Sequence, residues 1–377
     1  MSGGVDSSVA AALLKEQGYD VVGVYLKNWS DDRFSDCPWE KDWADVQAVG
    51  KKLDIPVVSW NFEREYRARV IEYFFREYAA GRTPNPDVMC NKEIKFGLFL
   101  TRALKAGADH VATGHYARIV ERENEITRER EKFLAIPKDT HKDQTYFLYT
   151  LTHNQLQHVL FPLADLTKEG VRAKAKELGL PTADRPDSQG ICFVGEVNLV
   201  NFLKSRLPEK VGAIETIDGE TIGEHRGVWF STIGQRHGLG IGGGIPYYVV
   251  DKDVATNTLI VAAGSDHPAL YSREMVVEEV EWRGRVNEFT RERVNVRIRH
   301  GGPLVVATIK AFHSSTHPSS SRQLKVFFAE PQRAVTPGQV AVFYKGGTVL
   351  GGGIIAPTSV RPRRSLRSPR RGLVRVR

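Results

Sequence analysis

The sequence predicts an α/β domain with a parallel sheet, followed by mainly β structure that ends in a small β-barrel. Three observations carry this prediction. Up to about residue 185, short β-branched runs alternate with amphipathic stretches, which is typical of βαβ units. After residue 196, short predicted strands are punctuated by glycines. From about residue 275, alternating runs such as 294–299 and 324–328 indicate a barrel.

The elements of the α/β domain follow one another along the chain. Strands are predicted at the β-branched runs 21–26, 55–60 and 110–113. Helices are predicted at the amphipathic stretches 7–17, 43–53, 66–78 and 94–106. A second helical group is predicted over 143–160 and 168–178, the latter stopped by Gly179, Leu180 and Pro181. We therefore predict an α/β domain at 1–196, a central mainly β domain at 197–272, a barrel at 273–360 and a disordered basic tail at 361–377.

Composition excludes several classes of protein. The chain has 377 residues, too many for a peptide hormone or a disulfide-stapled miniprotein, and 41% hydrophobic and 26% charged residues are usual for a globular protein. No apolar run approaches the ~20 residues of a membrane span, so no membrane role is expected. Three scattered cysteines without a C-x-x-C pair argue against a disulfide framework and against a metal site.

The net charge of +8 suggests an acidic partner such as nucleic acid. The surplus positive charge, however, lies at one end of the chain. Residues 361–377 hold eight arginines and no acidic residue, which leaves 45 basic and 45 acidic residues in the rest of the chain. The folded body is thus formally neutral. Recognition of a nucleic acid by the folded body would depend on local clusters, such as Lys92 with Lys95. The tail would add salt-sensitive affinity for that nucleic acid.

The strongest motif is the run from Ser2 to Ser8, Ser-Gly-Gly-Val-Asp-Ser-Ser, which leads directly into an apolar helix. Two glycines let the backbone approach a phosphate, and the unpaired N–H groups of the helix start attract an anion. The run lacks a Walker A lysine and G-x-G-x-x-G spacing, so it predicts a pyrophosphate-binding loop of a different kind. A Ser/Gly helix cap is the alternative interpretation.

A loop of this kind normally follows the first, central strand of its sheet, and no strand precedes Met1. Loss of a central strand would cost more than the ~5–15 kcal/mol by which domains are stable. We therefore expect the native chain to carry residues upstream of Met1.

Two of the predicted loops contain a cysteine that could be reactive. Cys90 lies in a proline-stiffened loop, 81–92, ahead of a helix predicted to begin near Asn91. A thiol at a helix start with lysines nearby favours the nucleophilic thiolate, and Asp87 lies close enough to handle a proton. A buried structural cysteine is the alternative interpretation. Cys192 lies in a second glycine-containing loop, 187–195, and two such cysteines could meet as sulfur carrier and resolving thiol. Cys37 is interpreted as structural.

Together these motifs resemble the MnmA-type tRNA 2-thiouridylases. The matching stretches are SGGVDSS at 2–8, LKNW at 26–29, GRTPNPDVMCNKEIKFG at 81–97, ATGHYAR at 112–118, KDQTYFLY at 142–149, DSQGICFVGE at 187–196, TIGQRHGLGIGG at 232–243 and TPGQVAVFY at 336–344. The resemblance runs from Met1 to about Ile355. It implies a PP-loop ATP pyrophosphatase domain with a doubly wound parallel sheet, a small central domain and a C-terminal β-barrel that grips tRNA.

The resemblance also implies a reaction, the ATP-dependent transfer of sulfur to carbon 2 of the wobble uridine through an adenylated uridine. Cys192 would carry the sulfur as a persulfide delivered by an upstream donor such as a cysteine desulfurase. Cys90 would close a transient disulfide with Cys192, and Asp87 would be the acid/base group. ATP would be used with Mg²⁺, and no resident metal is implied.

Residue-by-residue matching implies three sets of contacts. Pyrophosphate would contact Ser2, Gly3, Gly4, Asp6, Ser7 and Ser8, and the adenosine would lie at Leu26 and Gly114. The flipped-out base would face Asn85, Pro86 and Asp87. Other tRNA contacts would come from His115, Lys142, Asp143, Gln144, Arg299, His300 and Gln339. A histidine that only satisfies the end of a strand is the alternative for His115.

The chain departs from the family pattern in the missing first strand, the charged stretch 121–132, the serine-rich loop near His313 and the arginine tail. The two insertions, with the segment 266–271, favour the mitochondrial branch over a bacterial cytoplasmic enzyme. Two other functions stay open. One is another ATP-dependent PP-loop transferase, which would need no cysteine pair. The other is a non-catalytic tRNA-binding relative.

Overall fold

The computed structural model describes residues 1–30, 39–123, 130–187, 199–242, 244–283, 292–312 and 323–357. The first part of the chain forms the predicted α/β domain. Helix α1 (Val5–Glu16) precedes strand β1 (Gly23–Lys27), which is followed by α2 (Trp39–Leu53) and β2 (Val57–Asn61). Strands β1 and β2 pair in parallel, in register from Gly23 opposite Val57 to Lys27 opposite Asn61. The α/β class with parallel pairing is thus confirmed.

Two long helical stretches follow, each with a π-helical middle. The first comprises α3 (Glu63–Tyr66), a π segment at Arg67–Ile71 and α4 (Glu72–Ala79). The second comprises α5 (Pro86–Met89), a π segment at Cys90–Phe99 and α6 (Leu100–Lys105). The prediction that this second helix starts near residue 91 was wrong. It starts at Pro86 because the Asn85 side chain caps it, accepting the Val88 N–H at 3.2 Å.

The remainder of the α/β domain differs from the predicted helical group. Strand β3 (Val111–Ala112) pairs in parallel with β6 (Val159–Leu160). Between them lie the hairpin β4 (Arg118–Glu123) and β5 (Arg130–Ala135), a 3₁₀ turn at Thr145–Phe147 and the short helix α7 (His153–Gln157). The helical group predicted over 143–160 is present only at Thr145–Phe147 and His153–Gln157, because a Thr152–Gln155 capping box starts a new helix and β3 pairs with 159–160. Helix α8 (Lys168–Glu177) confirms the prediction at 168–178.

Helices α1 and α8 pack against each other on one side of the domain. Val9, Val171 and Ala175 are fully buried there, in a cluster that also includes Tyr116. Among the described residues no strand precedes α1, and the amino group of Met1 lies against the Val24 carbonyl of β1. The expectation of upstream residues stays a prediction.

The central domain consists of α9 (Leu199–Lys204), β7 (Gly212–Thr216), β8 (Thr221–His225), β9 (Tyr247–Asp253) and β10 (Thr258–Ala263). Its four strands are ordered β8-β7-β10-β9, with 3₁₀ turns at Val228–Phe230 and Pro268–Leu270. Ile214, Val249 and Leu259 are fully buried in its core. This domain confirms the mainly β interpretation of the glycine-punctuated segment.

The C-terminal strands close into the predicted barrel. They are β11 (Tyr271–Trp282), β12 (Arg293–Arg297), β13 (Val305–Phe312), β14 (Gln323–Arg333), β15 (Val340–Lys345) and β16 (Thr348–Ile355). Their order is β11-β14-β13-β12-β15-β16, and β16 pairs back with β11. The β4–β5 hairpin of the α/β domain joins this sheet where Thr348 faces Ala135. The sheet of the barrel is thereby continuous with the α/β domain, which also contains the Ser2–Ser8 run, called the phosphate loop below.

Candidate active site

The loop from Ser2 to Ser8 wraps the start of α1. Gly4 is the N-cap residue and no side chain caps the helix, so of the Ser/Gly cap alternative only the glycine is found at the cap. Instead the Ser7 and Ser8 hydroxyls donate to the Gly4 carbonyl at 3.1 and 2.9 Å, and the Ser2 N–H donates to Ser7 Oγ at 3.1 Å. The first N–H groups of a helix have no partner within it. The loop is therefore shaped internally, and the helix start is left for an anion.

Two glycines make this loop compact. Gly3 has φ +73°, and a Cβ there would come within 2.8 Å of the Asp42 carbonyl oxygen. A Cβ on Gly114, just after β3, would come within 2.7 Å of Ser7 N and the Asp6 carbonyl carbon. The sequence-predicted nucleotide residues Gly3, Asp6, Ser7 and Gly114 are thus brought together. A side chain at Gly114 would press on the Ser7 N–H at the helix start, and one at Gly3 would press the loop against α2. The two glycines therefore let the loop keep a shape that fits a polyphosphate.

Asp6 of the loop is held by residues far along the chain. Its carboxylate accepts bonds from Lys168 Nζ at 2.7 and 2.9 Å and from the Tyr116 hydroxyl at 2.9 Å. Burial, with Asp6 nearby, raises the pKa of Tyr116 far above its ordinary value, so the hydroxyl stays a donor. Sequence reasoning missed both partners, because nothing local to either residue marks it as a neighbour of the loop.

Three cationic side chains form ion pairs with Asp187. Its carboxylate oxygens lie 2.8 Å from Lys142 Nζ, 2.8 Å from Lys168 Nζ and 2.7 Å from Arg172 Nη2. Burial acts to raise the pKa of Asp187, and the hydrogen bonds from Lys142 and Lys168 outweigh it and hold that pKa well below its usual range. Asp187 is the first residue of the stretch that contains Cys192. That position is the one sequence signal that could have singled it out.

Arg185 supports the loop from a third direction. Its guanidinium donates to the Gly3 carbonyl at 3.0 Å and also binds Asp42 and Asp45 of α2. Burial raises the pKa of Asp42, with the Arg185 hydrogen bond acting against that shift. Arg185 therefore ties the phosphate loop to helix α2, another contact that sequence reasoning did not foresee.

The proline-stiffened loop is fastened to the barrel. The Thr83 N–H donates to the Pro337 carbonyl at 2.9 Å, and Gln339 Nε2 donates to the Thr83 carbonyl at 2.9 Å and the Pro84 carbonyl at 3.3 Å. Gly338 is needed because a Cβ there would lie 2.8 Å from Thr83 N. Gln339, predicted to contact tRNA, thus positions the backbone just before Asn85.

Cys90 lies one turn into the helix that begins at Pro86, and its side chain is fully buried. The helix starts at Pro86, so the prediction of a thiol at the helix start was wrong, and the effect of Lys92 and Lys95 on the thiol stays a prediction. The Cys90 N–H already bonds within the helix, Lys92 pairs with Glu281 at 3.3 Å and Lys95 Nζ lies 3.4 Å from His115 Nε2. Cys37 and Cys192 lie outside the described residues, as do their predicted roles. A Cys90–Cys192 pair therefore stays a prediction.

The described residues contain no cluster of three or more His, Cys, Asp or Glu side chains able to hold a metal ion. No described helix combines the length and the apolar character that crossing a membrane requires.

Family models match three successive parts of the chain. They are the tRNA methyl transferase HUP domain over residues 1–196, the tRNA methyl transferase PRC-barrel domain over 200–263 and the aminomethyltransferase β-barrel domain over 272–355. The tRNA-specific 2-thiouridylase MnmA of Streptococcus thermophilus is 49% identical over 362 residues, covering 94% of this chain and 93% of the relative. The chain belongs to the MnmA family of tRNA-specific 2-thiouridylases.

Other members of the MnmA family agree. MnmA of Streptococcus equi subsp. zooepidemicus is 50% identical over 362 residues, and MnmA 2 of Geobacillus kaustophilus is 49% identical over 357 residues. Both matches cover 94% of this chain and 93% of the relative. Among solved structures, NMN synthetase from Francisella tularensis has a TM-score of 0.29 and 17% identity, covering 50% of this chain and 63% of that one, which is too distant to compare sites. The MnmA resemblance and the fold class are confirmed, and the domain boundaries stay predictions.

The residues matched to tRNA contacts in the MnmA family fall into two groups. Lys142 and Arg299 lie at the surface, Lys142 with its ammonium on Asp187 and Arg299 in the turn after β12. Asp143 is 3% exposed and pairs with Arg297 of the barrel, and Gln144 Oε1 accepts the Tyr116 N–H at 2.9 Å. In this structure Asp143 and Gln144 support the fold, and their contact with tRNA stays a prediction.

Two histidines flank the Cys90 helix. His115 Nδ1 lies 2.7 Å from Thr113 Oγ1, and burial together with the Lys95 charge holds the pKa of His115 well below its usual range. The His300 ring stacks on Phe147 at 4.3 Å, and burial lowers its pKa. The charges of Asp143 and Asp87 act against that shift. Both rings are therefore neutral at neutral pH and suited to hydrogen bonding or stacking.

Leu26 and Asn85 are committed within the fold. Leu26 is 7% exposed in the core of the α/β domain, so it would face adenosine through its backbone. The Asn85 side-chain oxygen caps α5 by accepting the Val88 N–H. Pro86 and Asp87 therefore lie in the first turn of the helix.

Proposed function

We propose that this protein transfers persulfide sulfur to carbon 2 of the wobble uridine of tRNA, at the expense of ATP, to give 2-thiouridine. The observation that carries the proposal is that Lys168 joins Asp6 of the phosphate loop to Asp187, the head of the Cys192 motif. The phosphate loop and Asp187, which begins the sequence of that motif, thus belong to one ion-pair network. Full-length identity near one half with MnmA enzymes supports the same reaction.

ATP would be held by the phosphate loop, Ser2 to Ser8, with Gly114 against it and Leu26 on the adenosine side. Bound ATP supplies the activating group for the uridine oxygen, so that AMP can leave. Mg²⁺ would accompany the phosphates, because this ion keeps most of its ligands as water and phosphate oxygens and needs only one or two carboxylates. Asp6 is the carboxylate of the loop and the candidate for that contact.

The sulfur chemistry would use both loop cysteines. The terminal sulfur of a Cys192 persulfide attacks carbon 2 of the adenylated uridine and forms the carbon–sulfur bond. The bond from carbon 2 to oxygen breaks, and AMP leaves with that oxygen and the electron pair. Cys90 then attacks the Cys192 sulfur, which breaks the sulfur–sulfur bond, releases 2-thiouridine and leaves a Cys90–Cys192 disulfide. A thiol reductant supplies the two electrons that restore the pair. Asp87 in the first turn of the Cys90 helix is the candidate to accept the Cys90 proton.

The partners follow from this reaction. A persulfide donor, a cysteine desulfurase or a relay protein, must load Cys192. The target base must leave the anticodon stack, and Asn85 to Asp87 would receive it. Arg299, His300 and Lys142 would contact the surrounding tRNA, and the 361–377 tail would add sequence-independent attraction.

The test is a thiolation assay with ATP, Mg²⁺, a persulfide donor and wobble-uridine tRNA, resolved on a mercury-containing gel. We expect retarded tRNA with the wild-type chain and with Cys37→Ser, and none with Cys90→Ser or Cys192→Ser. Full activity in both cysteine variants would favour another PP-loop transferase. Binding of tRNA without AMP release would favour a non-catalytic relative.

We also propose a mitochondrial location, with the bacterial cytoplasm as the alternative. The support is the sequence of the insertions at 121–132 and near His313 and of the segment 266–271. Fractionation of the cells that produce the protein tests this proposal. Recovery of the native protein with mitochondria is the expected result, and recovery from a bacterial cytoplasm would contradict it.

A further inference from the structure

The Asp6 carboxylate of the phosphate loop is engaged by two side chains from distant parts of the chain. Lys168 Nζ lies 2.7 Å from Asp6 Oδ1 and 2.9 Å from Oδ2, so one ammonium bridges both oxygens. The Tyr116 hydroxyl donates to Oδ1 at 2.9 Å. A carboxylate has about four acceptor positions, two on each oxygen, and these contacts fill three of them. The position that is left, on Oδ2, lies beside the ammonium.

The backbone of Lys168 is fixed by its helix. The Lys168 N–H donates to Asp139 Oδ2 at 2.8 Å, and Val171, one turn on, is fully buried against α1. The ammonium also lies 2.8 Å from Asp187 Oδ1, and the Lys168 side chain is only 9% exposed. The ammonium can therefore change partners only by a movement of the side chain.

A metal ion at the phosphate loop would need the same carboxylate. Mg²⁺ binds oxygen ligands at about 2 Å. An ion at that distance from either Asp6 oxygen lies next to the Lys168 ammonium, because the ammonium bridges both oxygens. Two cations so close to each other repel strongly. Asp6 is therefore available to Mg²⁺ only when Lys168 releases it.

A polyphosphate offers the ammonium another anion. Asp6 lies in the first turn of α1, where the first N–H groups have no partner within the helix. The absence of a side chain at Gly114 keeps Ser7 N accessible, since a Cβ there would come within 2.7 Å of that nitrogen. Anionic oxygens held by these N–H groups attract the ammonium that Asp6 otherwise binds.

We propose that Lys168 and Mg²⁺ compete for Asp6, and that a polyphosphate in the phosphate loop ends this competition by drawing the Lys168 ammonium to its own oxygens. Lys168 thereby reserves Asp6 for a metal ion that arrives together with the polyphosphate and keeps the metal ion alone from binding there. The proposal rests on the proposed function only in taking a polyphosphate as the ligand of the loop.

The first experiment measures binding of a metal ion alone to the full chain. Mn²⁺ is the probe, and electron paramagnetic resonance measures the free ion during titration without nucleotide. We expect Lys168→Met to gain one Mn²⁺ site that is about tenfold tighter than any site of the wild type, because Asp6 loses its counterion. Adding Asp6→Asn to Lys168→Met should remove the gained site, and Lys168→Arg should not show it.

Lys174→Met is the matched control on the same helix. Lys174 pairs with Glu16 and Glu177, each at 3.1 Å, so this substitution also releases carboxylates from a lysine. It should leave Mn²⁺ binding as in the wild type. A gain as large as that of Lys168→Met would overturn the proposal, because the release of any carboxylate would then be sufficient.

The second experiment measures pyrophosphate binding by calorimetry without divalent metal. Lys168→Met should bind pyrophosphate about tenfold more weakly than the wild type, because a charge-assisted hydrogen bond is lost and Asp6 repels the anion. Lys168→Arg should recover part of the affinity, and Lys174→Met should keep all of it.

Asp6→Asn keeps the proposal testable if Lys168→Met does not fold. It frees the ammonium and removes a negative charge, so metal-free pyrophosphate should bind about fivefold more tightly. Binding of Mn²⁺ alone should stay as in the wild type. A tight Mn²⁺ site in the wild type that Asp6→Asn removes would overturn the competition, as would unchanged pyrophosphate affinity in Lys168→Met.

These titrations need neither tRNA nor a sulfur donor, so their outcome is separate from that of the thiolation assay. A chain that shows the expected metal and pyrophosphate binding but thiolates no tRNA would defeat the proposed function and leave the competition for Asp6 established.

Discussion

Arg297 of the barrel and Asp143 of the α/β domain form a buried ion pair, with Nη1 2.6 Å from Oδ2. The Asp143 side chain is 1% exposed and that of Arg297 is 10% exposed. Asp143 also accepts the Thr145 N–H at 2.9 Å and its hydroxyl at 2.7 Å, and the Arg297 guanidinium lies 5.5 Å from the Tyr344 ring centroid. The pair therefore fixes the tRNA-matched segment 142–144 against the barrel.

Breaking this pair should destabilise the protein strongly. Arg297→Met leaves the Asp143 carboxylate buried without its counterion, which costs about 3–5 kcal/mol. Urea unfolding measures the loss. Lys325→Met is the control, since the Lys325–Glu274 pair is exposed and worth about 1 kcal/mol or less. A loss for Arg297→Met no larger than that of the control would contradict the buried-pair interpretation.

Gly114→Ala should weaken nucleotide binding. The new methyl would lie 2.7 Å from Ser7 N and the Asp6 carbonyl carbon, so the phosphate loop must shift. A displacement of about 1 Å in an active site can cost about a hundredfold in activity. We expect the effect mainly in the KM for ATP, measured by AMP release. Gly242→Ala is the control, because no atom lies within 4 Å of its added Cβ. An unchanged KM in Gly114→Ala would show that this contact does not shape the loop.

Gln339→Ala should slow thiolation without changing ATP binding. It removes two hydrogen bonds that hold the Thr83 and Pro84 carbonyls, each worth about 1 kcal/mol. The loop ahead of Cys90 should then lose its fixed position, which lowers kcat by about tenfold. Gln332→Ala is the matched control, since the hydrogen bond from its side chain to the Glu330 carbonyl is solvent-exposed and lies within one strand. Equal kcat values for the two variants would assign no positioning role to Gln339.

Lys252 should make stability rise with pH. Burial lowers the pKa of Lys252 to about 8, against an ordinary value of 10.5, while its ammonium donates to the Ser231 carbonyl at 2.8 Å. Below pH 8 both states carry the charge, and the folded state bears its full burial cost. Between pH 8 and 10.5 the folded state releases its proton first, so the unfolded state binds more protons and the free energy of unfolding rises.

The comparison with Lys252→Met isolates this effect. The free energy of unfolding of wild type minus that of Lys252→Met should rise by up to about 3 kcal/mol between pH 7 and pH 10. Urea unfolding at several pH values measures the difference, with the exposed Lys310→Met as control. A constant difference across this range would contradict the lowered pKa.

The sequence by itself determined the class of fold and the chemistry of the motifs. The phosphate loop, the parallel β-strands and the glycine-punctuated β half are local patterns, because hydrophobic period, turn residues and helix starts act over a few residues. Ser2 to Ser8 and Gly114 lie together as the motifs implied. The helical prediction over 143–160 was wrong at its end for the same reason, since pairing of 159–160 with β3 is a distant contact.

Only the tertiary structure decided which side chains complete the site. Lys168 and Tyr116 reach Asp6 across more than a hundred residues of sequence, and Gln339 supports a loop that precedes it by more than two hundred. These contacts depend on the packing of α8 on α1 and on the junction of barrel and α/β domain. Burial of Asp143 and of the Cys90 thiol arises there too, because solvent exposure is set by the whole fold and not by neighbours in the chain.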